Sequence, residues 1–228
     1  MTAGPTREAL DPARYLSNPS TGRMGFALAA EAVERGAEVI LIAGPTHLTP
    51  PEGVHLVRVS SAEEMFRASL NQAQGADLIL KAAAVADYRP EERSRAKLKK
   101  EVLRREASGG EAGDRAITLR LLPTPDILEE IGRRKKPAQV LVGFAAETGD
   151  LKANAAKKLK KKNLDLIIAN RIGSSDEGFE SETNRAIAIE RGGRSTELPL
   201  MSKREMSRLV LDLSEKILKA RGGGRRAS

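Results

Sequence analysis

Gly25-Phe26-Ala27-Leu28-Ala29-Ala30-Glu31-Ala32-Val33-Glu34-Arg35-Gly36-Ala37-Glu38-Val39-Ile40-Leu41-Ile42-Ala43-Gly44-Pro45 is the stretch that decides the fold. Residues 25–35 carry a nearly continuous stripe of small apolar side chains (Phe26, Ala27, Leu28, Ala29, Ala30, Val33), and Gly36 stands where a helix needs a left-handed stop. Residues 38–43 then form a short, wholly apolar run of the kind buried on both faces in parallel sheets, closed by Gly44-Pro45. A helix returning into a buried strand is half of a βαβ unit.

The alternation continues in both apolar pattern and punctuation. Residues 54–59 read as a second strand, Ser61 with Glu64 as a capping box for a helix to about Gln74, and residues 77–84 as a buried strand. Thr124, Pro125 and Asp126 read as the cap, first-turn proline and acidic first turn of another helix. Residues 140–144, 151–161 and 164–169 follow as strand, helix and strand. Residues 186–190 and 195–198 flank Gly192-Gly193 as a hairpin, and Ser202 with Glu205 caps a last helix to about Lys219. The predicted architecture is α/β: a three-layer, Rossmann-like, mostly parallel doubly wound sheet with an antiparallel hairpin added near the C-terminus. Residues 1–220 are expected to form a single domain. The low-complexity basic tail, 221–228, is expected to be disordered.

Composition narrows the function. The chain has 228 residues, 40% hydrophobic, which suffices for a real core. Cys is 0, so disulfides, thiolate metal sites and cysteine nucleophiles are excluded, and His is 2, which leaves no histidine-rich site. Apolar runs are far too short to span a bilayer, and no signal peptide precedes Thr2, so the expectation is a soluble cytoplasmic protein with no membrane partner. The net charge of +8 invites a nucleic-acid reading, but aromatics are only 3% and supply too few stacking platforms. The charge gathers instead at residues 93–105, 157–162 and 219–226, and the first two clusters suit a small polyanion such as a nucleoside triphosphate.

Three stretches carry chemistry. Ser17-Asn18-Pro19-Ser20-Thr21-Gly22-Arg23-Met24-Gly25 runs directly into a helix, whose free N–H groups and dipole favour phosphate, with Ser20 and Gly22 as candidate contacts. A loop that merely needs tight turns would look the same. Ala82-Ala83-Ala84-Val85-Ala86-Asp87 lies at a strand's carboxyl end, where small residues let a ligand approach the backbone and Asp87 could accept from a ribose or base; a tightly packed strand end is the plainer alternative. Gly143-Phe144-Ala145-Ala146-Glu147-Thr148 leads to Lys158 and Lys162, four apart on one helix face and able to hold a triphosphate, although such basic runs are commonly solvated. The segment 89–113 has no clean period and holds seven basic residues between Arg93 and Arg105; a loop of that length is usually functional or disordered.

Together these segments resemble the phosphopantothenate–cysteine ligase family of coenzyme A biosynthesis. The ordered series runs through Thr2 to Glu8, Asp11 to Tyr15, Ser17 to Gly22, Ala83 to Arg89, Lys97 to Lys100, Pro125-Asp126-Ile127, Gly143 to Thr148, Lys162 to Asp165 and Ala169-Asn170. The resemblance implies CTP-dependent ligation. The carboxylate of 4′-phosphopantothenate attacks the α-phosphate of CTP and releases pyrophosphate. The amine of L-cysteine then displaces CMP from the acyl-cytidylate. Carried over by motif, Asn18 orients the acyl intermediate, Lys97 closes over the triphosphate on a mobile lid at about 89–113, and Arg14 takes the pantothenate phosphate. Asn18 and Ala84 join Arg14 as substrate contacts. Nucleotide contacts fall on Ser20, Gly22, Ala83, Asp87, Lys97, Pro125, Asp126, Ile127, Leu128, Phe144, Lys158 and Lys162. Mg2+ is expected with CTP, bound mainly through phosphates and water, without protein ligands legible in the sequence. Bacterial members are usually fused behind a flavin-dependent phosphopantothenoylcysteine decarboxylase; no flavin is expected in this chain, and a homodimer is. Lys81 departs from the pattern, which leads one to expect a small or apolar residue there.

Two matters stay open at this level. Only three residues precede Gly4, too few for a whole first strand, so the chain reads as cut from a longer one or as starting mid-strand. A Rossmann-type NAD(P)-dependent oxidoreductase is the rival function, against which stand the absent G-x-G-x-x-G and Tyr-x-x-x-Lys patterns.

Overall fold

A computed structural model describes residues 1–98, 118–147, 149–171 and 183–222. In chain order its elements are β1 (Thr2–Ala3), β2 (Arg7–Ala9), β3 (Tyr15–Ser17), α1 (Arg23–Glu34), β4 (Val39–Ala43), β5 (Val54–Arg58), α2 (Ala62–Ala73), β6 (Leu78–Lys81), β7 (Tyr88–Pro90) and β8 (Leu121–Pro123). There follow α3 (Ile127–Arg134), β9 (Val140–Glu147), α4 (Leu151–Lys161), β10 (Leu166–Arg171), β11 (Thr183–Glu190), β12 (Ser195–Ser202) and α5 (Lys203–Ala220).

The main sheet has eight strands in the order β12-β11-β10-β9-β6-β1-β4-β5. From β10 to β5 all neighbours are parallel, and β11 and β12 add the antiparallel hairpin at one edge. Alternate residues of each strand feed opposite faces. Leu166 and Ile168 join Leu28, Met206 and Val210 of α1 and α5 in one core. Ile167 and Ala169 join Met65, Ile131 and Leu159 of α2, α3 and α4 in the other. Such two-sided burial is why these strands are apolar throughout rather than alternating.

The expected fold is thus present, with local corrections. The start of the chain does make a strand: two residues, Thr2 and Ala3, lie in parallel register between β4 and β6. Two residues suffice because their neighbours hold them, with the Gly44 N–H donating to Ala3 O at 3.0 Å and the Ala84 N–H to Gly4 O at 2.9 Å. That second bond also explains why β6 ends at Lys81 and not at Ala84: the alanines leave the β6 ladder for the turn after β1. The helix near 124 begins later than its residues suggest. Asp126 is the cap, its carboxylate accepting from the Glu129 N–H at 3.0 Å. Pro125 stays outside, and the Thr124 hydroxyl donates to Ala86 O at 2.6 Å, tying loop to loop. β9 runs past Phe144 to Glu147 because β10 pairs along its whole length.

Of the expected lid over 89–113, residues 99–113 lie outside the described residues, as do residues 223–228 of the tail. Two short ribbons, β2–β3 and β7–β8, have no counterpart in the sequence reading.

Candidate active site

The winding of the sheet reverses between β1 and β6, which is where open α/β sheets leave a crevice beyond the strands' carboxyl ends. A cleft of about 600 Å³ opens there. Its walls are built from the end of β6, the loop into α1, the loop into α3, and the ends of β9 and α4.

The loop into α1 supplies Asn18, Ser20 and Gly22. Gly22 is the helix cap, at φ +83°, and no side chain caps the first turn. The Arg23 N–H donates to the Thr21 hydroxyl oxygen at 3.5 Å, a long bond that an anion at the helix N-terminus can displace. Gly25 seats this helix on β1: a Cβ at that position would lie 2.5 Å from the Ala3 Cβ and 2.8 Å from Thr2 O. The Asn18 side-chain nitrogen donates to Val85 O at 3.0 Å and, more weakly, to Ala84 O at 3.4 Å. Anchored through its nitrogen, Asn18 keeps its amide oxygen as the acceptor for a ligand.

The strand end supplies Lys81, Ala83, Ala84 and Asp87. The Ala86 N–H donates to the Thr6 hydroxyl at 3.0 Å and the Ala83 N–H to the Thr2 hydroxyl at 3.2 Å, so the alanine run is held flat against β1. The opposite wall is the loop Pro125–Asp126 with Ile127 and Leu128, backed by Phe144. Lys162 pairs with Asp126 at 2.6 Å and Lys158 with Glu147 at 2.6 Å. Burial pushes the Asp126 carboxyl up, but the Lys162 ammonium and the Glu129 N–H outweigh it and hold the carboxyl below its ordinary value. Burial also dominates at Lys81, whose ammonium falls from 10.5 to about 8.

Thirteen of the expected site residues therefore share one cleft: Asn18, Ser20, Gly22, Ala83, Ala84, Asp87, Pro125, Asp126, Ile127, Leu128, Phe144, Lys158 and Lys162. Arg14 and Lys97 do not line it. Arg14 forks onto the buried Asp11, with Nε at 3.0 Å and Nη2 at 2.6 Å, and its Nη2 also donates to Leu98 O at 2.5 Å. Asp11 in turn accepts from the Leu98 N–H at 3.1 Å, and its carboxyl lies well below the carboxylate range because of the Arg14 guanidinium. The pair thus staples the root of the basic segment, with Lys97 exposed beside it, to the β2–β3 ribbon. Sequence reasoning missed Arg23, Asn184 and Lys203, which also line the cleft. Asn184 and Lys203 arrive from the hairpin and α5, distant in sequence, and no local motif marks them. Among the described residues no group of three or more His, Cys, Asp or Glu could hold a metal ion. None of their helices is long and apolar enough to cross a membrane.

Comparison with known proteins shows the family and the fold. The sequence model of the DNA/pantothenate metabolism flavoprotein C-terminal domain matches residues 1–218. The coenzyme A biosynthesis bifunctional protein CoaBC of Bacillus subtilis (strain 168) is 46% identical over 212 residues, spanning 92% of this chain and 49% of that protein. The same-named protein of Haemophilus influenzae is 43% identical over 218 residues, spanning 96% and 50%. The chain thus spans about half the length of the curated relatives it matches. A solved C-terminal domain of a coenzyme A biosynthesis bifunctional protein CoaBC superposes with a TM-score of 0.78 at 39% identity, covering 96% of this chain and 94% of that one.

Proposed function

We propose that this chain, which belongs to the DNA/pantothenate metabolism flavoprotein C-terminal domain family, is a phosphopantothenate–cysteine ligase that activates its acid with CTP. The observation that carries the reading is the convergence of thirteen candidate residues, drawn from five separate segments, on one cleft at the sheet's switch point. Chance resemblance along a sequence has no reason to converge in space.

In the proposed reaction the carboxylate oxygen of 4′-phosphopantothenate attacks the α-phosphorus of CTP, and the bond to pyrophosphate breaks. The cysteine nitrogen then attacks the acyl carbon, and CMP leaves with the carbon–oxygen bond electrons. The uncapped first turn of α1, with Ser20 and Gly22, binds phosphate oxygens. Lys158 and Lys162 neutralise the triphosphate, exchanging part of their contact with Glu147 and Asp126 for it. Asp87 and the backbone of Ala83 and residues 125–128 hold the nucleoside against Phe144. Asn18, fixed by its nitrogen, offers its neutral amide to the acyl intermediate beside Ala84, orienting it without adding charge. Lys97 stands on the stapled root of the basic segment, and its ammonium is the proposed partner of the departing pyrophosphate. The Nη1 edge of Arg14, turned away from Asp11, is the proposed partner of the pantothenate phosphate.

Mg2+ fits this cleft as an ion carried on the nucleotide. Asp126 is already held by Lys162, and Asp87 is the other lining aspartate, a donor set too sparse for a protein cage and suited to an ion bound through phosphates and water. The reading also carries a cytoplasmic location, a homodimer, and fusion to or association with the flavin-dependent decarboxylase. In a thermal-shift titration, CTP with magnesium is expected to raise the melting temperature and NADPH to leave it unchanged. The reverse pattern would establish the oxidoreductase instead.

A further inference from the structure

Lys81 closes β6 in register with Thr2 of β1, at the edge of the switch-point crevice. It follows Leu78-Ile79-Leu80, where a further apolar residue would continue the strand. Three lysines from β6 and from the end of α4 line the cleft, and two of them have carboxylate partners, Lys158 with Glu147 and Lys162 with Asp126. The ammonium of Lys81 has, among the described residues, a single hydrogen bond, 3.4 Å to Ala83 O. The charges that face it are Lys162 from the end of α4, Asp126 from the cap of α3, and Asp87 from the loop after β6. Lys158, Arg23 and Lys203 complete the charged lining of the same cleft. Burial, with a smaller push from Lys162, lowers the Lys81 ammonium to about 8, Asp126 and Asp87 only partly opposing them. An ammonium desolvated with unused donors is an incomplete environment, and an anion completes it. The uncapped N-terminus of α1 ends on the same cleft and draws the same kind of ligand.

We propose that Lys81 is a further nucleotide-binding residue, donating to a phosphate oxygen of the bound triphosphate alongside Lys162. This rests on the CTP-dependent reading above. Anion binding raises the ammonium's affinity for its proton, so above pH 8 the complex takes up a proton that the free protein lacks. Well below pH 8 the group is charged in both states and the linkage vanishes. Affinity for the triphosphate therefore falls as pH rises from 8 to 9.5, by up to tenfold per pH unit.

The test is calorimetric titration at pH 8.5 with CTP plus magnesium and, separately, inorganic tripolyphosphate, each in two buffers of different ionisation enthalpy. The wild-type protein is expected to take up a proton with either probe. Lys81→Met, of similar length and apolar, is expected to bind both at least tenfold more weakly without proton uptake. Lys81→Arg is expected to recover affinity while still taking up no proton. Unchanged affinity and proton uptake in Lys81→Met overturn the proposal and leave the ligase reading intact. Loss of CTP binding with tripolyphosphate binding retained overturns the phosphate contact in favour of one to the nucleoside. A wild-type protein that binds neither probe overturns the CTP-dependent reading together with the proposal.

Discussion

Asn18 illustrates how one side chain's chemistry follows from two backbone carbonyls. Its nitrogen faces Ala84 O and Val85 O, which only a donor can satisfy, so the amide oxygen is left for the ligand. Asn18→Asp turns an acceptor toward both carbonyls and adds a charge beside the proposed position of the acyl intermediate. The variant is expected to release pyrophosphate from CTP yet accumulate acyl-cytidylate, with amide formation down at least a hundredfold, read by product chromatography. Loss of pyrophosphate release would move Asn18 into the first step. Lys97→Gln is expected to abolish the intermediate altogether; normal turnover in that variant would shift the role to Lys99 or Lys100. Candidate residues of this kind could be named because they sit in contiguous motifs. Arg14 was legible as a cation but not in its attachment, since nothing in Asp11-Pro12-Ala13-Arg14 says that the guanidinium also grips the carbonyl of Leu98, 84 residues on.

At the level of elements, helix α1 and strand β1 are fitted to each other through Gly25. Its Cβ position is filled by Ala3 and by Thr2 O, so the helix lies against the strand and Gly22 is delivered to the cleft. Gly25→Ala therefore has to push the two apart, costing about 1–3 kcal/mol and lowering the urea midpoint, with nucleotide affinity reduced as Gly22 shifts. An unchanged midpoint would show that the contact yields freely. Helices and strands were well marked in the sequence wherever burial is two-sided or a cap is formed by neighbours, as with Ser61 and Glu64 or Ser202 and Glu205. The misreadings occurred where tertiary partners decide. Thr124 looks like a cap but serves Ala86 O, and β1 is too short to be recognised without β4 and β6 beside it.

Across the whole molecule, Asp165 ties four elements together behind the cleft. Its buried carboxylate meets Lys135 after α3 at 2.5 Å, Arg191 of the hairpin turn at 3.0 Å and Arg221 after α5 at 2.5 Å, and accepts from the Leu141 N–H of β9 at 2.8 Å. Burial pushes this carboxyl up, but Lys135, Arg221 and the Leu141 N–H pull it below its ordinary 3.8. A depressed folded-state value means the contribution is complete above 3.8 and is lost as pH falls through the folded value, so stability should drop in acid below 3.8. Asp165→Asn leaves the buried Lys135 ammonium without its carboxylate and is expected to cost about 3 kcal/mol near neutral pH while flattening that acid limb, measured by denaturant unfolding across pH. A wild-type slope persisting in the variant would assign the acid limb to other carboxylates.

The central claim is that the cleft ligates an acid to cysteine through nucleotide activation, and pyrophosphate release tests it most directly. The protein is mixed with 4′-phosphopantothenate, CTP and magnesium, with and without L-cysteine. The account predicts release that requires 4′-phosphopantothenate, with amide product and CMP appearing only when cysteine is added. Absence of release with both CTP and ATP, from protein that is folded and binds nucleotide, would contradict it.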